Sequence, residues 1–451
     1  MSTSELVERI WARDATVWTS SDESQWLGWL DEPARIRERI PELQEFAEGV
    51  RRDGLREIVV CGMGGSSLAP EVFRRSFDAE AVRVLDTTHP AAIRALESGL
   101  DLDATLFVVS SKSGTTLETL SHLEYFWAKV KDGSRFAAIT DPGSPLEATA
   151  RERGFRAVWA GEPTIGGRYS ALSVFGLVPA VLAGVDLERL LERTLQMAEA
   201  CRLDDGNPGL ELGERLGLGW REGRDKLNTP NPGGFGLWLE QLIAESTGKD
   251  EKGIVPVPGS RVGGADAQQE EVRVESPYEL GQEFYRWEFA TAVAGALIGI
   301  NPFDQPNVQE AKDRTNAILE RGDDPDLAPE GEPFAGAEPG RYVAIQAFVE
   351  PSEENARRLD ALAERARAET GCPVTQGFGP RYLHSTGQLH KGGPPTGIFL
   401  QLVDETGEEV QIPGRGFGFG RLIRAQAAGD YAALRERGLP VARARWEDVT
   451  R

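Results

Sequence analysis

The chain has 451 residues, 40% of them hydrophobic and 27% charged, which is ordinary for a globular protein of two or three domains. Its formal charge of −22 argues against a nucleic-acid-binding surface, because such a surface needs a basic face to neutralise phosphates. No apolar run approaches the roughly 18–20 residues that span a bilayer, so we expect no membrane span and no signal peptide. Three cysteines and four histidines are scattered along the chain, which predicts no disulfide framework, no metal centre and a cytoplasmic location.

Residues 1–48 carry apolar side chains at helical spacing, which predicts an N-terminal helical segment. From Leu55 onward, short apolar runs alternate with amphipathic stretches. We predict strands at LREIVVCG, RVLDT, TLFVVSS, FAAITD and RAVWAG, with helices between them. Strands that alternate with helices indicate βαβ units around a parallel sheet, so residues 49–203 are assigned to a first α/β domain.

Residues 204–451 are assigned to a second α/β domain. We predict helices at LWLEQLIAEST and YELGQEFYRWEFATAVAGALIGI, and strands at YVAIQAFVE and GIFLQLV. The stretch 255–277 has little periodicity and is predicted to be a loop. The stretch 321–340 is rich in Pro, Gly and acidic residues and is predicted to be a linker.

A glycine-rich turn follows the first predicted strand in VVCGMGGSSLAP. Glycines there let backbone N–H groups, such as those of Gly65 and Ser66, approach an anion or a sugar at a helix N-terminus. The turn is not a dinucleotide fingerprint, because Ser67 stands where GxGxxG requires its third glycine. A tight strand–helix turn without a ligand fits these residues equally well.

A second strand–helix junction, VVSSKSGTTLET, brings Ser111, Lys112, Ser113 and Thr116 to the start of a predicted helix. The chain has eight lysines and 42 arginines, so a lysine inside a motif indicates a site suited to a compact ammonium group. Hydroxyls, a lysine and a helix N-terminus together suit a phosphate monoester. The alternative is a Ser/Thr run that only caps the helix.

Four further motifs contain candidate site residues. Arg168 follows two glycines in TIGGRYSALS, where it either serves a site or forms a buried salt bridge. Glu245 ends an apolar helix in LIAESTGKDEKG and suits either a general base or a surface position. GINPFDQPNVQEAK places Gln305 and Lys312 about two helical turns apart, and RYLHSTGQLHKGGP contains His384.

Together, GMGGSS, SKSGTT, IGGRYSALSVFGL, ESTGKD, GINPFDQP and LHSTGQ resemble the phosphoglucose isomerase family. The closest resemblance is to the isomerase half of transaldolase–phosphoglucose isomerase fusions, over roughly residues 55–425. It implies two SIS (sugar isomerase) domains, each a three-layer αβα unit in which helices flank a parallel sheet, with the active site between them. It also implies the interconversion of glucose 6-phosphate and fructose 6-phosphate without a cofactor, and it allows a homodimer.

The resemblance further implies a role for each motif residue. Glu245 would be the base that moves a proton between C1 and C2, and His384, paired with Glu118, would open the sugar ring. Arg168 would lie at the reacting carbons, and Lys312 would line the sugar. The implied substrate- and phosphate-binding residues are Gly65, Ser66, Ser111, Lys112, Ser113, Thr116, Gly167 and Gln305.

Two departures from the family pattern are visible. In the family, the segment with the catalytic histidine usually precedes the lysine. Here this histidine segment, RYLHSTGQLHKGGP, contains His384 and follows Lys312. Asn307 and Gln309 stand where the family usually has Gly and Glu in DQPGVE, which we expect to alter only the packing around Lys312. Two alternatives stay open. One is an isomerase that also accepts mannose 6-phosphate, because the sequence does not define the tolerance at C2. The other is a sugar-phosphate sensor without catalytic activity.

Overall fold

The computed structural model describes residues 3–259, 263–322 and 324–450. Its N-terminal part consists of helices α1 (Thr3–Trp11), α2 (Glu32–Arg37) and α3 (Ile40–Arg52), joined by short 3-10 turns. Their apolar faces are buried against later helices, and the Trp18 indole donates a hydrogen bond to the Ala292 carbonyl at 2.8 Å. The N-terminal helical segment is thus confirmed, and its apolar face is what fixes it to the body of the protein.

A five-stranded parallel sheet follows, in which the strands have the order β2-β1-β3-β4-β5. Helices connect its strands, and every residue of β3 is buried, as expected for a parallel sheet covered on both faces. The strand order reverses between β1 and β3, so the segments that leave these two strands border one crevice. The elements are β1 (Glu57–Gly62), α4 (Leu68–Ser76), β2 (Val82–Leu85), α5 (Pro90–Ser98), β3 (Thr105–Ser110), α6 (Leu117–Val130), β4 (Phe136–Thr140), α7 (Pro145–Glu152) and β5 (Ala157–Ala160).

The middle of the chain combines long buried helices with a small three-stranded parallel sheet, β7-β6-β8. The prediction of a loop over 255–277 is wrong in part, because β7 and β8 lie within it. These strands have four and three residues, too few to show a period, and β7 contains two prolines, which its edge position tolerates. The elements are α8 (Val174–Leu182), α9 (Leu187–Ala200), α10 (Pro208–Arg221), β6 (Lys226–Thr229), α11 (Phe235–Thr247), β7 (Val255–Pro258), β8 (Ala267–Gln269), α12 (Leu280–Ile298) and α13 (Val308–Arg321).

The C-terminal part forms a four-stranded parallel sheet with the order β10-β9-β11-β12. Its central strands are wholly buried, which agrees with their largely apolar sequences, each interrupted by one glutamine. The elements are β9 (Tyr342–Phe348), α14 (Glu353–Thr370), β10 (Val374–Phe378), α15 (Gly387–Gly392), β11 (Gly397–Val403), α16 (Phe419–Glu436), β12 (Val441–Arg445) and α17 (Trp446–Val449). The predicted α/β class with parallel sheets flanked by helices is confirmed. Within the described residues, no helix is both long and apolar enough to cross a membrane.

Candidate functional site

A cavity of about 250 Å³ lies where the segment after β3 meets α13, α16 and the segment after β10. The first sheet contributes Ser113, Thr116 and Glu118 from the start of α6, because parallel strands deliver the connections that follow them to one edge. Helix α13 contributes Lys312, and the short 3-10 helix Arg381–His384 contributes His384. Five of the residues that the sequence placed at the site therefore line one cavity.

His384 and Glu118 form the central pair of this cavity. The His384 Nε2 lies 2.8 Å from Glu118 Oε1, although the two residues are 266 positions apart in the chain. The Gln426 side chain donates a second hydrogen bond to the same carboxylate oxygen at 2.7 Å. The altered order of the histidine segment therefore does not prevent His384 from reaching Glu118.

Glu118 is ionised throughout the neutral range. Burial acts to raise the pKa of its carboxyl, but the charge and hydrogen bond of His384, with the charge of Lys312, outweigh burial and lower the pKa to about 2. A carboxylate with so low a pKa accepts hydrogen bonds and does not donate a proton near pH 7. Glu118 thus orients the imidazole, and the imidazole is left to exchange protons.

The loop after β3 presents hydroxyl groups at the N-terminus of α6. Ser111 Oγ shares a hydrogen bond with Thr116 Oγ1 at 2.9 Å, and Ser113 Oγ does so with Thr115 Oγ1 at 2.9 Å. Ser113, Thr115 and Thr116 line the cavity. Gly114 has a φ of 68°, and a Cβ there would lie 2.8 Å from Ser144 Cβ, so the sharp turn requires glycine.

Lys112 lies apart from these hydroxyls. Its ammonium group forms an ion pair with Asp141 and faces the carbonyls of Glu162 and Pro163, each at 3.4 Å. It does not line the cavity. The structure therefore brings together Ser113 and Thr116 of the predicted phosphate-binding residues but directs Lys112 toward the end of β4.

Arg168 is buried at the junction of several segments. Its Nε donates to Ser246 Oγ at 2.8 Å, its Nη1 to Gln305 Oε1 at 2.9 Å, and its Nη2 to the carbonyls of Pro302 and Asp304 at 2.7 and 2.9 Å. A second group, the Glu245 carboxylate, lies 3.6 Å from Nη1. The sequence left open whether Arg168 serves a site or forms a salt bridge. In the structure it does both: it holds the 302–305 turn by hydrogen bonds and places a positive charge beside Glu245.

Glu245 is connected to the histidine segment through a residue that the sequence did not indicate, Gln241. The Gln241 Nε2 donates to Glu245 Oε2 at 2.9 Å and to the His384 carbonyl at 3.0 Å. Both residues are on α11, four positions apart, so they project from the same face. A polar amide within an otherwise apolar helix was the one signal available, and Gln241 is 4% exposed.

The two glycine-rich turns pack backbone against backbone near this group. Gly65 lies in the 3-10 helix Gly64–Ser66, where an added Cβ would come within 2.0 Å of the Gly167 carbonyl oxygen. A Cβ on Gly64 would lie 2.8 Å from the His384 carbonyl oxygen. The glycines thus allow the close approach of the first-sheet turn, the Arg168 turn and the histidine segment.

The other three histidines have structural positions in the described chain. His390 is buried against Phe399, with Nδ1 3.2 Å from Gln346 Nε2, and burial together with the charge of Lys391 holds its pKa well below the usual value. His89 lies 3.1 Å from Asp404, and His122 lies 2.8 Å from the Thr87 carbonyl. His384 is therefore the histidine that reaches the cavity.

Asn307 does more than the packing role we expected. Its backbone N–H donates to Gln388 Oε1 at 2.8 Å, and its side-chain carbonyl accepts from Gln388 Nε2 at 2.7 Å. Gln388 also donates to the Gly248 carbonyl at 2.9 Å. The expectation that this position alters only packing around Lys312 is therefore wrong. Gln309, the other residue of the same departure, lines the cavity.

Comparison with known proteins identifies a family that part of the chain resembles. Residues 34–202 match the phosphoglucose isomerase family model. A glucose-6-phosphate isomerase of Gloeothece citriformis is 31% identical over 271 residues, covering 51% of this chain and 50% of the relative. One of Carboxydothermus hydrogenoformans is 29% identical over 390 residues, covering 74% of this chain and 83% of the relative. The chain thus spans about half the length of the first relative and most of the second.

Solved structures show the same architecture. A glucose-6-phosphate isomerase from Chlamydia trachomatis matches with a TM-score of 0.53 and 21% identity, covering 70% of this chain and 78% of that one. At this identity the likeness establishes the fold alone, and the predicted arrangement of parallel sheets flanked by helices is confirmed. Residues 34–202 are thus similar to the phosphoglucose isomerase family.

Proposed function

We propose that the protein is an aldose–ketose isomerase that interconverts glucose 6-phosphate and fructose 6-phosphate through an enediolate. The observation that carries this proposal is the linkage of a histidine–carboxylate pair to a carboxylate–arginine ion pair. His384 with Glu118 at 2.8 Å and Glu245 with Arg168 at 3.6 Å are connected by the Gln241 side chain. The names of the relatives support the same reaction.

In the proposed reaction, the phosphate binds to the hydroxyls and N–H groups at the start of α6. Ser113 and Thr116 lie there at the positive end of the helix, which suits a phosphate dianion. Binding energy from this remote group positions the sugar carbons. His384 exchanges a proton with the ring oxygen, and Glu118 keeps the imidazole in one orientation.

The open-chain sugar then isomerises beside Glu245. The Glu245 carboxylate removes the proton from C2 or C1 and returns it to the neighbouring carbon, while the hydroxyl proton passes between the C1 and C2 oxygens, so no net proton is consumed. Negative charge develops on the C1 and C2 oxygens of the enediolate, and the Arg168 guanidinium next to Glu245 provides a fixed positive charge for it. Gln305, held by Arg168, and Lys312, which lines the cavity, contact the sugar in this proposal.

A coupled assay of fructose 6-phosphate conversion to glucose 6-phosphate tests the proposal. Turnover in the purified protein supports it, and tight sugar-phosphate binding without turnover identifies the sensor instead. Mannose 6-phosphate in the same assay reports the tolerance at C2. Glu245→Gln is the matched negative variant, since it keeps the side-chain shape and removes the base.

The remaining assignments from the sequence are also proposals. We assign residues 49–203 and 204–451 to two domains after the N-terminal segment 1–48, a division that the separate sheets support. A cytoplasmic location and a homodimer are proposed with them. Gel filtration at several concentrations tests the dimer.

A further inference from the structure

Helix α16 holds the histidine segment through one buried acid, Asp430. The Tyr382 hydroxyl donates to Asp430 Oδ2 at 2.6 Å, and the Lys391 ammonium lies 2.5 Å from Asp430 Oδ1. Tyr382 precedes His384 by two residues, and Lys391 follows it by seven. Both ends of the segment that contains His384 are therefore attached to one carboxylate.

The group is fully removed from solvent. Asp430 is 0% exposed, Tyr382 3%, and the Lys391 side chain 1%. Burial and the Asp430 charge hold the pKa of the Tyr382 hydroxyl well above its usual value, so this hydroxyl stays a donor. A buried ion pair contributes little net stability, because desolvation offsets its attraction. Unlike an apolar contact, the buried ion pair fixes the orientation of the backbone segment that carries Tyr382 and Lys391.

The same helix also holds the partner of His384. Gln426 precedes Asp430 by four residues on α16, and its side chain donates to Glu118 Oε1 at 2.7 Å. Its other amide atom accepts from Thr88 Oγ1 at 2.7 Å, which fixes the orientation of the amide. One helical face thus positions the segment that carries the imidazole, through Asp430, and the carboxylate that binds it, through Gln426.

We propose that Asp430 is a positioning residue for His384, with Tyr382 and Lys391 as the groups through which it acts. The inference rests on the proposed function, in which His384 opens the sugar ring. In this proposal, α16 holds His384, from the C-terminal part of the chain, next to Glu118, which follows the first sheet's strand β3. Asp430 itself makes no contact with substrate in this proposal.

Tyr382→Phe is the mildest test, because it removes one hydroxyl and keeps the ring packed against Phe348 and His390. We expect kcat on cyclic fructose 6-phosphate to fall about tenfold, since small misplacement of a catalytic group is costly. Proton exchange of an open-chain analogue should change far less. KM should stay within about twofold, because the loop after β3 that carries Ser113 and Thr116 is unchanged. Asp430→Asn should produce the same pattern, with a larger fall.

Glu283→Gln is the control for stability alone. It breaks another buried ion pair, with Arg286 at 2.6 Å, away from the cavity. It should lower Tm without altering the ratio of cyclic to open-chain rates or the pH profile. If Tyr382→Phe and Asp430→Asn change only Tm, as this control does, the positioning role is wrong.

A double variant, Lys391→Met with Asp430→Leu, removes both buried charges together. Under the proposal it keeps a low ring-opening rate even where its stability equals that of the wild type. If the double variant recovers the wild-type ratio of cyclic to open-chain rates, the proposal is wrong, because packing alone would then position His384.

The imidazole nitrogen NMR signals of His384 provide a readout independent of turnover. In Tyr382→Phe they should shift, as the hydrogen bond to Glu118 lengthens, and in Glu283→Gln they should not. Unshifted signals in Tyr382→Phe contradict the proposal. A wild-type protein without isomerase activity refutes the proposed function, whereas the NMR comparison still decides whether Asp430 positions His384.

Discussion

Asn307 and Gln388 are joined by two hydrogen bonds, one from the Asn307 backbone and one to its side chain. The first residue belongs to the DQPN turn and the second to the histidine segment, which departs from the usual order by following Lys312. The two departures from the family pattern therefore meet in one contact. We interpret Asn307 as the residue that attaches the turn carrying Gln305 to the relocated segment.

Gln388→Met tests this attachment. The variant leaves the Asn307 N–H and the Gly248 carbonyl without their buried partner, at a cost of about 1–3 kcal/mol in the free energy of unfolding. Urea denaturation measures that loss, and kcat should fall with it because the turn loses its position. Gln309→Ala is the control for stability alone, since the Gln309 amide bonds only Asp313 on its own helix in the described contacts. Equal stability of Gln388→Met and wild type would contradict the interpretation.

Glu245→Gln should lower kcat by about 100-fold or more, because it removes the proposed base while its amide can still accept from Gln241. Thermal unfolding should change little. Steady-state kinetics in both directions measure the effect, and Glu251→Gln, on an exposed turn after α11, is the control. A loss of less than about tenfold, equivalent to roughly 1.4 kcal/mol of barrier, shows that another group is the base.

The phosphate-binding prediction separates the two hydroxyl residues, Ser113 and Thr116, from Lys112, which lies in the same motif. Replacing Ser113 and Thr116 with Ala should raise KM for fructose 6-phosphate far more than it lowers kcat, since anchoring acts equally on substrate and transition state. Lys112→Met should affect KM less, because its ammonium is engaged by Asp141 outside the cavity. Substrate titration of the three variants measures both effects. A larger rise in KM for Lys112→Met than for the hydroxyl variants would show that Lys112 binds the phosphate.

The sequence predicts the larger strands well and the small sheet poorly, for physical reasons. Strands such as β3 and β9 are buried on both faces and read as largely apolar runs. Strands β6 to β8 have three or four residues each and are rich in polar residues or proline, with the sequences KLNT, VPVP and AQQ. Strands β2 and β5 also have four residues, but their sequences VRVL and AVWA favour strands and are predicted. Composition as well as length therefore limits the sequence signal.

Prediction of the site is divided in the same way. Arg168, which precedes an apolar run, and His384, which lies in the motif RYLHSTGQLHKGGP, are visible in the sequence. Gln241 and Gln426 carry no charge and lie on buried helix faces, so only the fold reveals that they orient Glu245 and Glu118. The partner of Lys112, Asp141, follows a different strand, and no local pattern predicts their contact.

Arg168→Lys illustrates what the structure adds. If Arg168 acted only at the reacting carbons, as the family resemblance implies, the variant would lose kcat and keep an intact fold. The guanidinium, however, donates four hydrogen bonds to Ser246, Gln305 and the 302–304 carbonyls, and an ammonium group cannot reproduce that fork. We expect both kcat and the free energy of unfolding to fall, the latter by about 3 kcal/mol. Kinetics and calorimetry on the same preparation measure the two losses, and an unchanged Tm would show that the buried contacts contribute nothing.

The lowered pKa of Glu118 predicts a specific dependence of stability on pH. Its pKa is about 2 in the folded protein, against 4.5 for an ordinary glutamate, so the folded state binds this proton less readily than the unfolded state. The stabilisation is complete above about pH 5 and is lost as the pH falls from 4.5 toward 2, by up to about 3 kcal/mol. In Glu118→Gln this component is absent, so the free energy of unfolding should decrease less steeply between pH 5 and pH 3. Urea denaturation at several pH values measures the slope, with Glu251→Gln as the control that keeps the wild-type curve. Parallel curves for Glu118→Gln and wild type would show that the His384–Glu118 contact does not lower the pKa of Glu118.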